Sequence, residues 1–389
     1  MSVLSERLAT PRRQRVVKNP IPWYTPRFWH GMRLSTWLSV LAQNRFALSK
    51  LPTALSITFF SIFNSFFAAT DQAIYGSRVA RVEIKQSPLF ILGHWRSGTT
   101  FLHELLIRDP EHTFPTTYQC FVPHHFVLTE RWITPWTEKL LPNRRPMDNM
   151  AAGWQRPQED EFALGILGVP TPYLSMMFPK RGPTYPEYLT LHNLPDAERQ
   201  RWKNELDNFF RRLTFRDPSR IVVKSPPHTA RVRTLLEMYP DAKFVHLVRN
   251  PYDLYVSTVN LWKSLNEVQR MQGLGNQQWV DEYVLSTLER MYAAYEQDRL
   301  LLRENQLYEL RYEDLVDNPH DRMRELYDKL ELGDFSRAEP SVLEHLAEVK
   351  NYRRNHYELP EEKRNVISKR WAGYIERYGY ETKPTKSVT

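Results

Sequence analysis

A parallel β-sheet with helices packed on its faces is the fold class this sequence predicts, and two kinds of observation predict it. Short apolar runs alternate with helical periodicity: "PLFILG" precedes "TTFLHELLIRD", "RIVVKS" precedes "TARVRTLLEMY", and "AKFVHLV" precedes "PYDLYVSTVNLWKSL". That is the order of strand–helix–strand units whose strands are buried on both faces. In addition, "GHWRSGTT", "KSPPH" and "RNPYDLYVS" end three strands in polar residues, and open α/β sheets bind ligands at such ends.

Taken in order, residues 1–85 read as a basic tail followed by a helical, apolar extension. Residues 1 to about 20 are polar and basic and predict no ordered element. Residues 51–70, "LPTALSITFFSIFNSFFAAT", carry no charge over twenty positions, the length of a membrane span. Six Ser and Thr residues, Asn64 and a proline dilute the stretch, and Thr58, Ser61 and Ser65 form a weak polar stripe opposite Leu55, Phe59, Ile62, Phe63 and Phe66. A helix packed on protein is the first reading, a helix lying in a membrane interface the second, and a span the last. The mixture of Trp, Arg and His in "WYTPRFWHGMRLSTWL" keeps contact with a membrane surface open.

Residues 86–385 form the α/β domain. Within it, 110–217 are rich in proline and aromatics and predict an insertion of short helices without a strand, placed to wall an acceptor pocket. After the insertion, a strand at "RIVVKS", a strand at "AKFVHLV", a helix with Pro251 in its first turn, a long helix from about Asp281 to Glu304, a strand in "LYELRYEDL" and closing helices complete the chain.

The chemistry begins at "FILGHWRSGTTFLHELL". A strand, a glycine-bounded turn and a helix start follow one another, so backbone N–H groups and the positive end of a helix dipole converge on one point and favour an anion. Gly93 and Gly98 have the spacing of a nucleotide-triphosphate loop, but that loop carries Lys-Ser/Thr after the second glycine. Here Thr99 and Thr100 follow, and Arg96 is the strong cation inside the loop. Arg249 at a strand end and Ser257 two helical turns on suit a second phosphate.

Four segments in order, "RSGTTF" (96–101), "KSPPH" (224–228), "RNPYDLYVS" (249–257) and "RYEDLVDNP" (311–319), make the chain resemble the sulfotransferases that use 3′-phosphoadenosine-5′-phosphosulfate (PAPS), the bacterial members in particular. The resemblance implies a P-loop-like three-layer α/β/α fold with PAPS as co-substrate and no metal. It implies that Arg96, Ser97, Gly98, Thr99 and Thr100 hold the 5′-phosphosulfate, that Arg249 and Ser257 hold the 3′-phosphate, and that Phe101 and Tyr312 lie against adenine. Arg353 and Arg354 stand in for a basic loop of the family and are candidates for the 3′-phosphate. Lys224 corresponds to a cation that neutralises the leaving phosphate or the bridging oxygen, and Arg96 substitutes for the missing lysine at the transfer centre. A sulfuryl group carries less charge than a phosphoryl group, so cationic side chains and backbone donors can stabilise its transfer.

The general base is open. Where relatives have a histidine two residues after the lysine, this chain has Pro226, and the histidine is His228. The alternative is the acidic cluster Glu159, Asp160 and Glu161 in a first helical turn, with Glu159 or Glu161 favoured. His94, His124 and His125 have no companion ligands at metal spacing and are expected to line the acceptor pocket.

Composition narrows the rest. The chain holds 53 basic and 45 acidic residues, a net charge of +8, which suits an anionic ligand but is too diffuse to demand nucleic acid. One cysteine, Cys120, excludes an intrachain disulfide and cysteine-type metal clusters, and it points to a reducing, cytoplasmic location, with membrane association as the alternative. A small molecule, a carbohydrate or a lipid all fit as acceptor, taking the sulfuryl group on a hydroxyl or an amine, and the oligomeric state is not specified. The competing function classes are a nucleotide-dependent kinase and a non-enzymatic membrane-surface scaffold with a vestigial nucleotide fold.

Overall fold

The computed structural model describes residues 17–20, 22, 24–148, 150–349 and 359–381. Five strands, β1 (Leu89–Leu92), β2 (His112–Thr113), β3 (Arg220–Lys224), β4 (Lys243–Val248) and β5 (Leu307–Arg311), form one parallel sheet in the order β2-β3-β1-β4-β5. β1 is central because Leu89, Phe90, Ile91 and Leu92 are all buried, so both faces of the strand need cover. Alternate residues serve opposite layers. Phe90, Val223 and Phe244 join one apolar core, and Leu89, Ile91, Val222 and Val245 join the other.

The chain leaves β1 for one side of the sheet and later returns to the other. A crevice is therefore left at the C-terminal end of β1, the place where such sheets bind ligands.

Helices α1 (Leu34–Gln43) and α2 (Leu51–Ala80) precede the sheet, and α3 (Thr99–Leu106) follows β1. The insertion supplies α4 (Thr117–Phe121), α5 (Phe126–Thr137), α6 (Asp160–Leu167) and α7 (Asp196–Arg216). Then come α8 (Val232–Met238), α9 (Pro251–Gln269), α10 (Trp279–Asp298), α11 (Tyr312–Asp317), α12 (Pro319–Leu330), α13 (Glu339–Val349), α14 (Glu361–Arg370) and α15 (Ala372–Arg377). Local chemistry sets these starts. The Asn250 side chain caps α9 by accepting from the amides of Tyr252 and Asp253, and Pro251 takes the first helical position, where no amide is needed.

Two expectations for the insertion need correction. It does contain a strand, β2, whose two residues pair with Arg220 and Ile221 and were too short to leave a period in the sequence. Its last helix, α7, is 21 residues long rather than short, because Trp202, Leu206, Phe209, Phe210 and Leu213 form a continuous buried stripe at helical spacing.

α2 packs on the protein with its polar stripe inward. Thr58 accepts from the Trp37 indole at 2.8 Å and Ser65 from the Leu34 amide at 2.9 Å, while Asn64 donates to the His30 and Met32 carbonyls. Asp71, fully buried, pairs with Arg212 of α7 at 2.6 Å. Leu55, Phe59, Ile62, Phe63 and Phe66 are left exposed.

Candidate active site

The loop after β1 turns through Gly93–Gly98 into α3. Gly98 has φ of +100°, and a Cβ there would lie 2.2 Å from Cδ2 of Tyr312, so only glycine lets the loop pass beneath that ring. Thr99 and Thr100 occupy the first positions of α3, where backbone amides have no acceptor within the helix and such helix starts favour an anion. Arg96, Gly98, Thr99, Thr100 and Phe101 line one cavity of about 800 Å³. Ser97 does not: its hydroxyl donates to the His94 carbonyl at 2.8 Å and is buried, which pins the turn.

The third and fourth sequence segments meet this loop. Arg249 donates to the Arg96 carbonyl at 2.9 Å, and its guanidinium sits 4.8 Å from the centre of the Tyr312 ring. Ser257 accepts from Nε of Arg96 at 2.9 Å. The Arg96 side chain thus lies with Ser257, and it also pairs with Asp148 at 2.7 Å, an acid that Arg145 approaches at 3.5 Å. Burial works to raise the Asp148 pKa, but Arg145 and Arg96 outweigh it and hold the carboxyl below its ordinary range. Arg96 itself has φ of +70°, a left-handed conformation that costs a non-glycine residue about 1 kcal/mol and is common at functional sites. From the other side, Tyr374 of α15 donates to the Arg249 carbonyl and accepts from its amide, holding the backbone that aims the guanidinium.

The three consecutive acids diverge. Glu159, at the N-cap of α6, faces the cavity; its Oε1 accepts from Lys224 Nζ at 2.5 Å and its Oε2 from the Tyr173 hydroxyl. Tyr173 in turn accepts from the Trp95 indole at 2.9 Å. Asp160 turns inward, accepting from Ser225 at 2.5 Å and bonding His228 Nε2 at 2.7 Å. Burial opposes ionisation of Asp160, yet His228, Ser225 and Arg231 together hold it below the usual carboxylate range. Glu161 is also buried, bound by Arg231 at 2.6 Å and by the Thr171 hydroxyl at 2.5 Å. Of the candidate bases, Glu159 reaches the cavity, whereas Glu161 and His228 are sealed into buried pairs away from its wall. Burial holds the Lys224 ammonium below the ordinary lysine range, and Glu159 is the chief group opposing that shift.

The same cavity is also lined by the apolar side chains of Phe28, Phe121, Trp154, Phe162, Met176 and Leu265, with Thr25, Thr117, Arg156, Gln158 and Gln269 among its polar lining residues. His94, His124 and His125 do not line it, contrary to expectation. All three are buried, and His125 bonds Thr129 and Asn64 beneath α2. Arg353 and Arg354 lie outside the described residues. Sequence reasoning missed Asp148, Tyr173 and Tyr374. Only Trp95, inside the loop motif, had a local signal; the others belong to segments that carry no recognisable motif.

A central parallel sheet, a glycine-bounded loop at its switch point and a carboxylate, Glu159, that faces the adjoining cavity while paired with the buried Lys224 are the frame of a group-transfer enzyme of the P-loop-like α/β class. The chain belongs to the sulfotransferase family, whose profile matches residues 88–336. It is 42% identical over 363 residues, 92% of each chain, to the omega-hydroxy-beta-dihydromenaquinone-9 sulfotransferase Stf3 of Mycobacterium tuberculosis and likewise to that of Mycobacterium bovis. Its fold resembles the sulfotransferase STF9 of Mycobacterium avium, with TM-score 0.66, 18% identity and 93% of each chain covered. STF1 of Mycobacterium tuberculosis is similar, with TM-score 0.59, 18% identity and coverage of 91% of this chain and 94% of that one. The chain is therefore an enzyme, a sulfotransferase, and the kinase and scaffold alternatives fall away.

Proposed function

We propose that the chain moves a sulfuryl group from PAPS to a hydroxyl on a lipid acceptor, with Glu159 as the base. The observation that carries this reading is the Lys224–Glu159 pair, whose carboxylate faces the cavity that the phosphate loop also lines. Glu159 takes the proton of the acceptor hydroxyl, and the hydroxyl oxygen attacks sulfur in line. The bond from sulfur to the bridging oxygen breaks, and its electron pair stays on the departing phosphate, giving a sulfate ester and adenosine 3′,5′-bisphosphate. Lys224, released from Glu159 as the latter is protonated, neutralises the charge growing on that phosphate. Loop amides at 96–100 take the 5′-phosphosulfate, Arg249 with Ser257 and the Arg96 side chain takes the 3′-phosphate, and Phe101 and Tyr312 flank adenine.

Two facts support a lipid over a sugar. The cavity wall includes a run of aromatic and aliphatic side chains, Phe28, Phe121, Trp154, Phe162, Met176 and Leu265, an apolar area that an isoprenoid chain would fill. The mycobacterial relative at 42% identity is named for a hydroxylated dihydromenaquinone. The test is transfer of labelled sulfate from PAPS to an ω-hydroxylated isoprenoid quinol in detergent micelles, compared with a simple phenol and a disaccharide. Transfer to the isoprenoid at much higher kcat/KM is the expected result; preference for the sugar or the phenol would overturn the acceptor class.

A further inference from the structure

The exposed face of α2 has no use in the catalytic cavity and no partner in the described protein. Leu55 is 61% exposed, Phe59 57%, Ile62 52%, Phe63 45% and Phe66 66%, five large apolar side chains on one helical face. A surface helix of a globular protein ordinarily turns such a stripe inward. Here Thr58, Ser65, Asn64 and Asp71 hold the polar side against the protein through bonds to Trp37, Leu34, His30, Met32 and Arg212. An apolar patch of this size on a soluble surface marks an interaction site.

Charge identifies the occupant. Between Glu6 and Asp71 the sequence has no acid and nine Lys and Arg residues, and Asp71 itself is buried against Arg212. Where α2 begins, the Ala47 amide donates to the Met271 carbonyl and Arg27 donates to the Val268 carbonyl, so the start of this helix abuts the end of α9. Arg27, Lys50 and Arg270 gather there, close enough that Arg270 and Arg27 add to burial in holding Lys50 below the ordinary lysine range. Glu267, 3.0 Å from Arg270, is the acid that answers them. Beside α2, with which its N-terminal half packs, α5 carries Trp132 and Trp136, 76% and 85% exposed, the residue type that favours the lipid headgroup level. A second copy of the chain would bring the same positive flank; an anionic bilayer surface complements it.

We propose that the outward apolar face of α2 and the cations at its start seat this protein on an anionic lipid surface as a peripheral contact that does not cross the bilayer. A span is incompatible with the hydrogen bonds and the Asp71–Arg212 pair that tie α2 along its length to α1 and α7. The arrangement also bears on acceptor delivery. Pro26 and Phe28, the neighbours of Arg27, and Val268 and Gln269, before Arg270, line the cavity. Drawing the acceptor from the bilayer at this point rests on the lipid-acceptor reading; lipid binding itself does not.

Flotation of the full chain with vesicles of phosphatidylcholine, alone or mixed with phosphatidylglycerol, tests the proposal. The wild type is expected to float with the mixed vesicles, to float far less with the neutral ones, and to be released by salt or alkaline carbonate without detergent. The triple change Phe59→Ser, Phe63→Ser and Phe66→Ser is expected to lower flotation at least roughly tenfold while turnover on a short soluble acceptor stays unchanged. Because that variant has three changes, Leu55→Gln with Ile62→Gln serves as an independent second variant, and Lys50→Glu is expected to weaken binding to the mixed vesicles alone. The proposal is overturned if the wild type remains lipid-free, if both α2 variants float like wild type, or if only detergent extracts the protein. A wild-type dimer that the triple variant converts to monomer, with neither form floating, would assign the face to a second copy and likewise overturn it. Flotation without sulfation of a bilayer-embedded isoprenoid would leave the seat standing and remove the acceptor reading.

Discussion

The two halves of the cavity are built on different principles. The half proposed for the donor comes mainly from loops at the strand ends of the α/β core, and its groups are charged, mutually bonded and braced from behind: Arg249 against Arg96 and Tyr374, Arg96 against Ser257 and, from the insertion, Asp148. The half proposed for the acceptor comes from the N-terminal extension, the insertion and the end of α9, and it adds the apolar area of Phe28, Phe121, Trp154, Phe162, Met176 and Leu265 alongside Thr25, Gln158 and Gln269. Glu159, from the insertion, lies on the cavity wall and bonds Lys224, which the core supplies behind it. Charge recognition demands fixed geometry and so sits on the rigid sheet. Apolar recognition tolerates variation, and it sits on the segments added around that sheet.

The largest expected effect falls on the junction. Glu159→Gln is expected to lower kcat by roughly 10²- to 10⁴-fold while calorimetry shows adenosine 3′,5′-bisphosphate still binding. Retained turnover would remove Glu159 as the base. Two residues on, Glu161→Gln leaves Arg231 buried without its counter-charge and is expected to cost about 3–5 kcal/mol of stability in chemical denaturation, with kcat per folded molecule unchanged. If instead Glu161→Gln silences the enzyme without unfolding it, the division between these neighbours fails.

The donor and acceptor halves can be separated in the same way. Arg249→Ala is expected to weaken adenosine 3′,5′-bisphosphate by about 1.5–3 kcal/mol, roughly 10- to 100-fold, and to leave adenosine 5′-phosphosulfate close to wild type, since the latter lacks the 3′-phosphate. Equal weakening of both nucleotides would mean that the arginine supports the fold. Leu265→Gln, in the apolar wall, is expected to raise KM for an isoprenoid acceptor by roughly tenfold with donor affinity unaltered. The smallest effect concerns Asp148, which pairs with Arg96. Asp148→Asn is expected to tighten adenosine 3′,5′-bisphosphate by roughly fivefold, because the nucleotide no longer competes with the buried Asp148 carboxylate for the Arg96 guanidinium. Weaker binding would show that Asp148 positions Arg96 rather than competing for it.

Most of the donor half was legible because its information is local. A buried strand, a glycine where the chain must pass beneath Tyr312, and hydroxyls at a helix start lie within a dozen residues of one another, and the same holds for Arg249 and Ser257 along one strand–helix corner. The acceptor half was not legible at that level. Successive residues at the start of a helix point about 100° apart, so Glu159, Asp160 and Glu161 take three different partners, Lys224, His228 and Arg231. No pattern within the helix says which of them faces the cavity. The strand β2 was lost for a related reason: two residues have no period, and only their pairing with β3 makes them a strand.

By itself the sequence determined the parallel sheet, the glycine-bounded loop with arginine as its cation, the Arg249–Ser257 corner and the uncharged, membrane-length stretch 51–70. Each follows from residue type and spacing over a few turns of chain. The tertiary structure decided which carboxylate meets Lys224, where the Arg96 side chain rests and which face of α2 looks outward. Those outcomes depend on residues that are distant in the chain: Lys224 lies 65 positions from Glu159, Ser257 lies 161 from Arg96, and Arg212 lies 141 from Asp71. A polar stripe opposite an apolar one is the same pattern whichever side is buried. Only the Trp37, Leu34 and Arg212 partners waiting on the protein turn the polar stripe of α2 inward and leave its phenylalanines outside.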